Sequence, residues 1–261
     1  QVELTQKIDE IRHPIVREAL RYLSINEGVE IHHFGDLPAR TGMGTSSSFA
    51  VALIHALFAL RGIKIKRLTL GRTAIYIEQE CCKECVGSQD QTAATYGGLN
   101  RIDFSALGID VKPIMAQNLE SHILLFFTGF QRNASEIEKA KLDRLPDQEV
   151  GFNRLYEMVG EGEKCLGTGD MAGFGKLVSE GWQIKRSMAP NTSTDYIDFL
   201  YDKGMKNALG GKLLGAGGGG FLCFIVEPDK QGAVKEALKS LLYVPVKISY
   251  GGSEILVRNG S

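Results

Sequence analysis

From Pro38 to Leu60 the chain reads PARTGMGTSSSFAVALIHALFAL. No other stretch restricts the fold as much: a loop with two glycines and four consecutive hydroxyl residues runs without a break into an apolar helical pattern. A helix N-terminus exposes unpaired backbone N–H groups and carries partial positive charge. Gly42 and Gly44 allow positive φ and close backbone approach. Loop and helix start together make a phosphate cradle, and the hydroxyls can bind phosphate oxygens or a magnesium ion. The plain alternative is a capped helix after a tight turn, where Ser is a favoured cap. The loop is not of the G-x-x-x-x-G-K-[ST] type, because no lysine lies between Pro38 and Leu60.

The rest of the composition narrows the partners. In 261 residues, 43% are hydrophobic and the formal net charge is −1. That supports a real core and gives no electrostatic reason to expect nucleic acid or an anionic membrane. Five cysteines, three of them crowded into CCKEC (Cys81, Cys82, Cys85), do not read as a disulfide framework and suit a reducing, cytoplasmic setting. Zinc at CCKEC is disfavoured, since Cys81 and Cys85 fit an apolar helix stripe and no second Cys/His pair lies nearby. There is no secretory pattern at the start, and the apolar run Phe49–Leu60 is too short to span a bilayer. The chain opens QVELTQKIDEIRHPIVREALRYL, without an initiator Met, which leads us to expect a preceding segment.

Periodicity predicts a helix over Pro14–Leu23, an alternating strand in GVEIHHFGDLP, a helix from about Ser47 to Leu60, and a helix from about Thr69 to Cys85. Glu78 lies at the edge of the last helix's apolar stripe. A polar loop, VGSQDQTAATYGGLNRIDF, and a buried strand in SHILLFFTGF follow. Asn133–Leu145 is charged and expected to be exposed. Two or three helices are expected between Gly151 and Asn207, then strand FLCFIV, helix DKQGAVKEALKSLL, strand VPVKISY and strand SEILVR, a compact α+β unit. We place a domain boundary near Phe130.

Two further motifs carry chemistry. KLLGAGGGGFLCFIV formally satisfies G-x-G-x-x-G, yet a strand follows the glycines where a dinucleotide fingerprint needs a helix. Six small residues before a buried strand point instead to another backbone packed directly against them. In GSQDQTAATYGG, Asp90 follows Glu78 by twelve residues. The two carboxylates can converge on one hard cation, although Asp in a loop is usually a turn or cap residue.

In this order the three features resemble the GHMP kinase superfamily. PARTGMGTSSSFA is similar to its P-x-x-x-G-L-G-S-S-A-A phosphate loop, KLLGAGGGG to its third glycine motif, and GSQDQTAATYGG to its acidic loop. SQDQ-x-A-A-x-YGG-x-NRI, TGFQR-x-ASEI, W-x-x-KRSM, GGKLLGAGGGGF and LLYVPVKI resemble the D-glycero-D-manno-heptose 7-phosphate kinase group within it. The likeness runs from about residue 30 to 258. Met43 stands for the usual Leu, a volume-conserving swap, and Thr45 for the first Ser. The family's first motif, an N-terminal strand and loop at the sugar site, has no counterpart here.

The resemblance implies a two-domain α+β fold. Residues 1–130 would form a ribosomal S5 domain 2-like ATP-binding domain lacking its first strands, and residues 131–261 a ferredoxin-like domain. It implies ATP and Mg2+ as cofactors. Gly42, Met43, Gly44, Thr45, Ser46 and Ser47 would wrap the ATP phosphates. Ser46 and Glu78 would hold magnesium, and Asp90 would stand at the acceptor hydroxyl. Gly215, Ala216, Gly217, Gly218 and Gly219 would pack beside the phosphate loop and shape the substrate cleft. The implied acceptor is the anomeric hydroxyl of D-glycero-D-manno-heptose 7-phosphate, whose own phosphate needs cations. Arg132, Lys185 and Arg186 are the candidates, each weighed against a solvated surface charge. Small molecules are the expected partners, with neither nucleic acid nor membrane, and a homodimer is compatible. Two rivals remain: a fucose, galactose or mevalonate kinase, and a non-catalytic sugar- or nucleotide-binding regulator on the same fold.

Overall fold

The computed structural model describes residues 2–37, 42–129, 148–188, 192–215 and 217–257. Contacts divide the chain into two units. The first gathers Gln1–Ala39, Gly44–Gly98 and Ser249–Ser261; the second gathers Arg40–Met43 and Leu99–Ile248.

The first unit is helical among its described residues. Helix α1 (Pro14–Tyr22) opens with Pro at its first turn, where the missing N–H is not needed, and buries Ile15, Ala19 and Leu20. Helix α2 (Thr45–Leu60) buries Ala50, Val51, Leu53, Ile54 and Leu57. Helix α3 (Arg67–Tyr76) buries Leu70 and Ala74, then widens into a π-helical turn over Ile77–Cys81. These side chains form one core with Ile25 and Ile77.

The polar stretch expected as a loop is in part a helix, α4 (Gln89–Tyr96). Its buried positions are Gln91, Thr92 and Thr95, so it presents polar atoms inward and gives no apolar periodicity to read. The strands expected in GVEIHHFGDLP and SEILVR do not form over the described residues. Among its described residues their unit offers no neighbouring strand, and an extended segment without a ladder partner is not a β-strand.

The chain end nevertheless binds tightly within this unit. Gly98 N–H donates to Ser249 O at 2.6 Å, Arg67 Nη2 donates to Gly251 O at 3.1 Å, and His55 Nδ1 lies 2.9 Å from Ser253 Oγ. The tail crosses at Gly97, where a Cβ would come within 2.2 Å of Gly252 N.

The second unit holds an antiparallel sheet in the order β4-β5-β3-β6. Its strands are β3 (Ile123–Phe127), β4 (Gly210–Leu213), β5 (Phe221–Ile225) and β6 (Leu242–Val244). A separate hairpin pairs β1 (Asn100–Ser105) with β2 (Gly108–Pro113). A short helix, α5 (Leu119–His122), precedes β3. Three long helices follow: α6 (Glu149–Thr168), α7 (Met171–Met188) and α8 (Asp195–Met205), with α9 (Gln231–Ala237) between β5 and β6. Trp182 of α7 is fully buried with Phe126, Phe224, Leu200 and Leu222. Helix α7 rests on β4 through glycine, since a Cβ on Gly210 would meet Gly175 O at 1.8 Å.

The expected boundary near Phe130 falls inside this second unit, because β3 is hydrogen-bonded between β5 and β6. β4 also precedes the glycine run, so the run joins two antiparallel strands. With no helix after it, the dinucleotide reading stays rejected. Asn133–Leu145 lies outside the described residues.

Gly97 has φ 65° and ψ 176°, a region that is essentially glycine's alone. We expect Gly97→Ala to destabilise by about 2–4 kcal/mol through backbone strain and overpacking. In a thermal melt this lowers Tm by about 5–10 °C. An unchanged Tm would show the tail contact to be dispensable.

Candidate functional site

Within the first unit the site is built on the start of α2. Gly44 is its N-cap at φ 66° and has no side chain to satisfy the first-turn N–H groups, so they are left for an external acceptor. Ser46 and Ser48 are exposed, while Ser47 turns inward and is buried.

Beneath this helix start lies Glu78. The π-helical turn holds Ile77 and Glu78 side by side, both buried. Ser47 Oγ donates to Glu78 Oε1 at 3.3 Å, and Gln91 Nε2 donates to Glu78 Oε2 at 2.7 Å. The hydroxyl meeting Glu78 is therefore that of Ser47; Ser46, the expected metal partner of Glu78, is exposed. Gln91, which sequence reasoning did not single out, is wholly buried, and its Oε1 has no hydrogen-bond partner. Its only signal in the sequence was its place in SQDQ, beside Asp90.

Asp90 stands in the first turn of α4 rather than in a loop. A Cβ on Gly44 would touch its carboxylate at 3.0 Å, so Asp90 lies directly against the start of α2. Glu78 and Asp90 both titrate above the usual carboxyl range. For Glu78 burial is the main cause, opposed by the hydrogen bonds from Gln91 and Ser47. For Asp90 the cause is loss of hydration.

In the second unit, Gly42 and Gly215 pack backbone to backbone. A Cβ on Gly215 would lie 2.6 Å from Gly42 Cα, which bears out the close approach expected of the glycine run. Gly217 is similarly pressed on Thr192, and Gly218 N–H donates to Thr192 O at 2.9 Å. Gly217, Gly218 and Gly219 are all buried, while Met43 is half-buried. Lys185 Nζ donates to Gly215 O, so this cation is bound to the glycine run itself. Arg186 instead pairs with Asp198 at 2.6 Å, and Ser193 Oγ holds the other oxygen of that carboxylate. Arg186 thereby braces the start of α8. Ala216 and Arg132 lie outside the described residues.

The residues fit a magnesium ion by chemistry. Glu78 and the loop hydroxyls are all hard oxygen donors. Among the described residues no group of three or more His, Cys, Asp or Glu could hold a metal alone. Magnesium takes one or two carboxylates and completes its shell with phosphates and water. Cys82 is pushed up to about 12 by burial, so CCKEC offers no ready thiolate there. No helix among the described residues is long and apolar enough to cross a membrane.

Comparison with known proteins bears on the family. Residues 13–98 match the GHMP kinases N terminal domain, and residues 163–244 match the GHMP kinases C terminal model. The chain is 29% identical over 218 residues to the D-glycero-alpha-D-manno-heptose 7-phosphate kinase of Campylobacter jejuni, covering 80% of this chain and 64% of the relative. It is 28% identical to the galactokinase of Thermococcus kodakarensis, covering 75% of this chain and again 64% of the relative. The chain thus spans somewhat less than two thirds of the length of these two relatives. The crystal structure of a D-glycero-D-manno-heptose 1-phosphate kinase from Bacteroides thetaiotaomicron superposes with a TM-score of 0.67 at 24% identity, over 94% of this chain and 74% of that one. At that identity the likeness is one of fold.

Glu78 also makes a prediction about stability. A carboxyl whose folded pKa is raised favours the fold below its ordinary value, and that contribution is lost as pH rises through the folded pKa. We expect wild-type Tm to fall as pH rises from the ordinary Glu range toward neutrality. Glu78→Gln removes most of that slope, Asp90 leaving a residue of it. The variant also melts no lower than wild type at pH 7. Parallel Tm–pH curves for the two proteins would refute this.

Proposed function

Because the chain belongs to the GHMP kinases, carrying their N-terminal domain followed by their C-terminal domain, we propose that it transfers the γ-phosphoryl group of ATP to a sugar hydroxyl. The acceptor we propose is the anomeric hydroxyl of D-glycero-D-manno-heptose 7-phosphate. One observation carries the kinase reading: the Asp90 carboxylate packs against Gly44, where α2 presents its unfilled N–H groups and hydroxyls.

In this reading the backbone of Gly42 to Ser47 and the hydroxyls of Thr45, Ser46 and Ser47 receive the ATP phosphates. Ser46 and Glu78 hold magnesium, with Ser47 bonded to Glu78 as an additional oxygen donor. When bound, the cation neutralises charge on the phosphates. Asp90 orients the acceptor hydroxyl and takes its proton late in a loose transition state. Its raised pKa improves it as a base over an ordinary aspartate. By the family likeness, Lys185, bonded to Gly215 O, and the glycine run are assigned to the acceptor.

The choice of heptose phosphate rests on similarity to the Campylobacter jejuni relative. One observation favours a second reading, a kinase for an unphosphorylated sugar such as galactose. Arg186, a candidate for holding the acceptor's phosphate, is already paired with Asp198.

Two measurements decide. A screen of the intact protein with labelled ATP should give turnover with heptose 7-phosphate and little with heptose, galactose, fucose or mevalonate; equal turnover of phosphorylated and free heptose would overturn the phosphate requirement. Asp90→Asn should lower single-turnover phosphoryl transfer by about 10²–10⁴, with nucleotide affinity changed far less. A loss under about threefold at unchanged Tm would remove Asp90 from the chemistry.

A further inference from the structure

Gln91 is a costly residue where it stands. It is fully buried, one of its two polar atoms has a partner and the other has none. Leaving a buried acceptor unsatisfied is costly, and an apolar side chain of the same volume would avoid that penalty. What the amide supplies is its Nε2–H, which reaches Glu78 Oε2 at 2.7 Å. Glu78 has its other oxygen on Ser47, so its carboxylate plane is fixed from two sides.

The position is as informative as the bond. Asp90 and Gln91 are consecutive on the first turn of α4, and consecutive helical side chains point about 100° apart. One directs its carboxylate to Gly44 at the start of α2; the other directs its amide to Glu78 below it. A single helical turn therefore carries a group for the acceptor and a group for the carboxylate that serves the phosphates.

We propose that Gln91 is a positioning residue: it holds the Glu78 carboxylate in the one orientation that can serve the divalent cation of the nucleotide. This rests on the reading of the site as a magnesium–nucleotide site. Gln91 touches neither nucleotide nor acceptor in this role. It acts only through Glu78, and its loss separates metal-dependent from metal-independent binding.

The test measures the affinity of the intact protein for a non-hydrolysable ATP analogue, first with a chelator and then with excess Mg2+. In the wild type Mg2+ should tighten binding. In Gln91→Met, which keeps length and volume and removes the donor, that gain should shrink about tenfold, the usual cost of removing the group that orients a metal ligand. Affinity in chelator should stay within twofold, which a variant that merely loosened the fold would not show. In turnover, half-saturating Mg2+ should rise by a similar factor while the acceptor KM stays within twofold. If Gln91→Met does not fold, Gln91→Asn, whose shortened amide cannot reach Glu78, is held to the same criterion. A wild-type Mg2+ gain in the folded variant overturns the role of Gln91 alone. Absence of any Mg2+ gain in the wild type overturns the underlying reading of the site, and the proposal with it.

Discussion

The first unit is organised around one buried carboxylate. Glu78 has no exposure, and the groups that satisfy it come from two other elements, Ser47 on α2 and Gln91 on α4. Burying an anion is tolerable only when its oxygens are hydrogen-bonded. Its position therefore dictates where the start of α2 and the first turn of α4 can lie. Once those are set, Asp90 falls against Gly44 as a consequence, because it shares the turn with Gln91. Glu78 stands in the π-helical turn, beside the equally buried Ile77.

Glycine does the corresponding work where backbones must touch. Gly42 and Gly215 in the second unit, and Gly97 and Gly252 in the first, approach so closely that a single methyl group on any of them would strike main chain. Main-chain atoms cannot step aside as a flexible side chain can, so any other residue at these contacts costs stability. In the second unit the close approach brings the last residues before the helix loop against the glycine run, whose carbonyl at Gly215 is held by Lys185. Arg186, one residue on, is committed to Asp198 and the start of α8. Two adjacent cations thus have different duties, one at the glycine run and one in the scaffold.

Much of this was legible before any coordinates. The helix after the hydroxyl loop, the buried strands in ILLFF and FLCFI, and the need for glycine at Gly215 and Gly217 follow from periodicity and from the sterics of a missing Cβ. So did the pairing of a phosphate-type loop with two carboxylates, because that chemistry needs particular residue types at particular places in the chain. Helix α4 was not legible, since its buried face is Gln91, Thr92 and Thr95 and carries no apolar stripe. Strand β4 was hidden for a related reason: Gly210 and Gly211 have no side chains to alternate.

Long-range pairing accounts for the rest. GVEIHHFGDLP and SEILVR have the alternation of strands, but alternation states only which face a residue would take, and a strand exists only where another lies alongside. The neighbours of these segments are helices, and that is settled by the whole chain's packing. The same holds within the site. The residue types of Ser46, Ser47, Glu78, Asp90 and Gln91 are written in the sequence, and they fix the oxygen chemistry available. Which serine turns inward to Glu78, and which side chain braces it, depends on a half-turn of helical phase set by tertiary contacts between α2, the π-helical turn and α4. Local sequence determined the chemistry; only the assembled fold could decide which atoms meet.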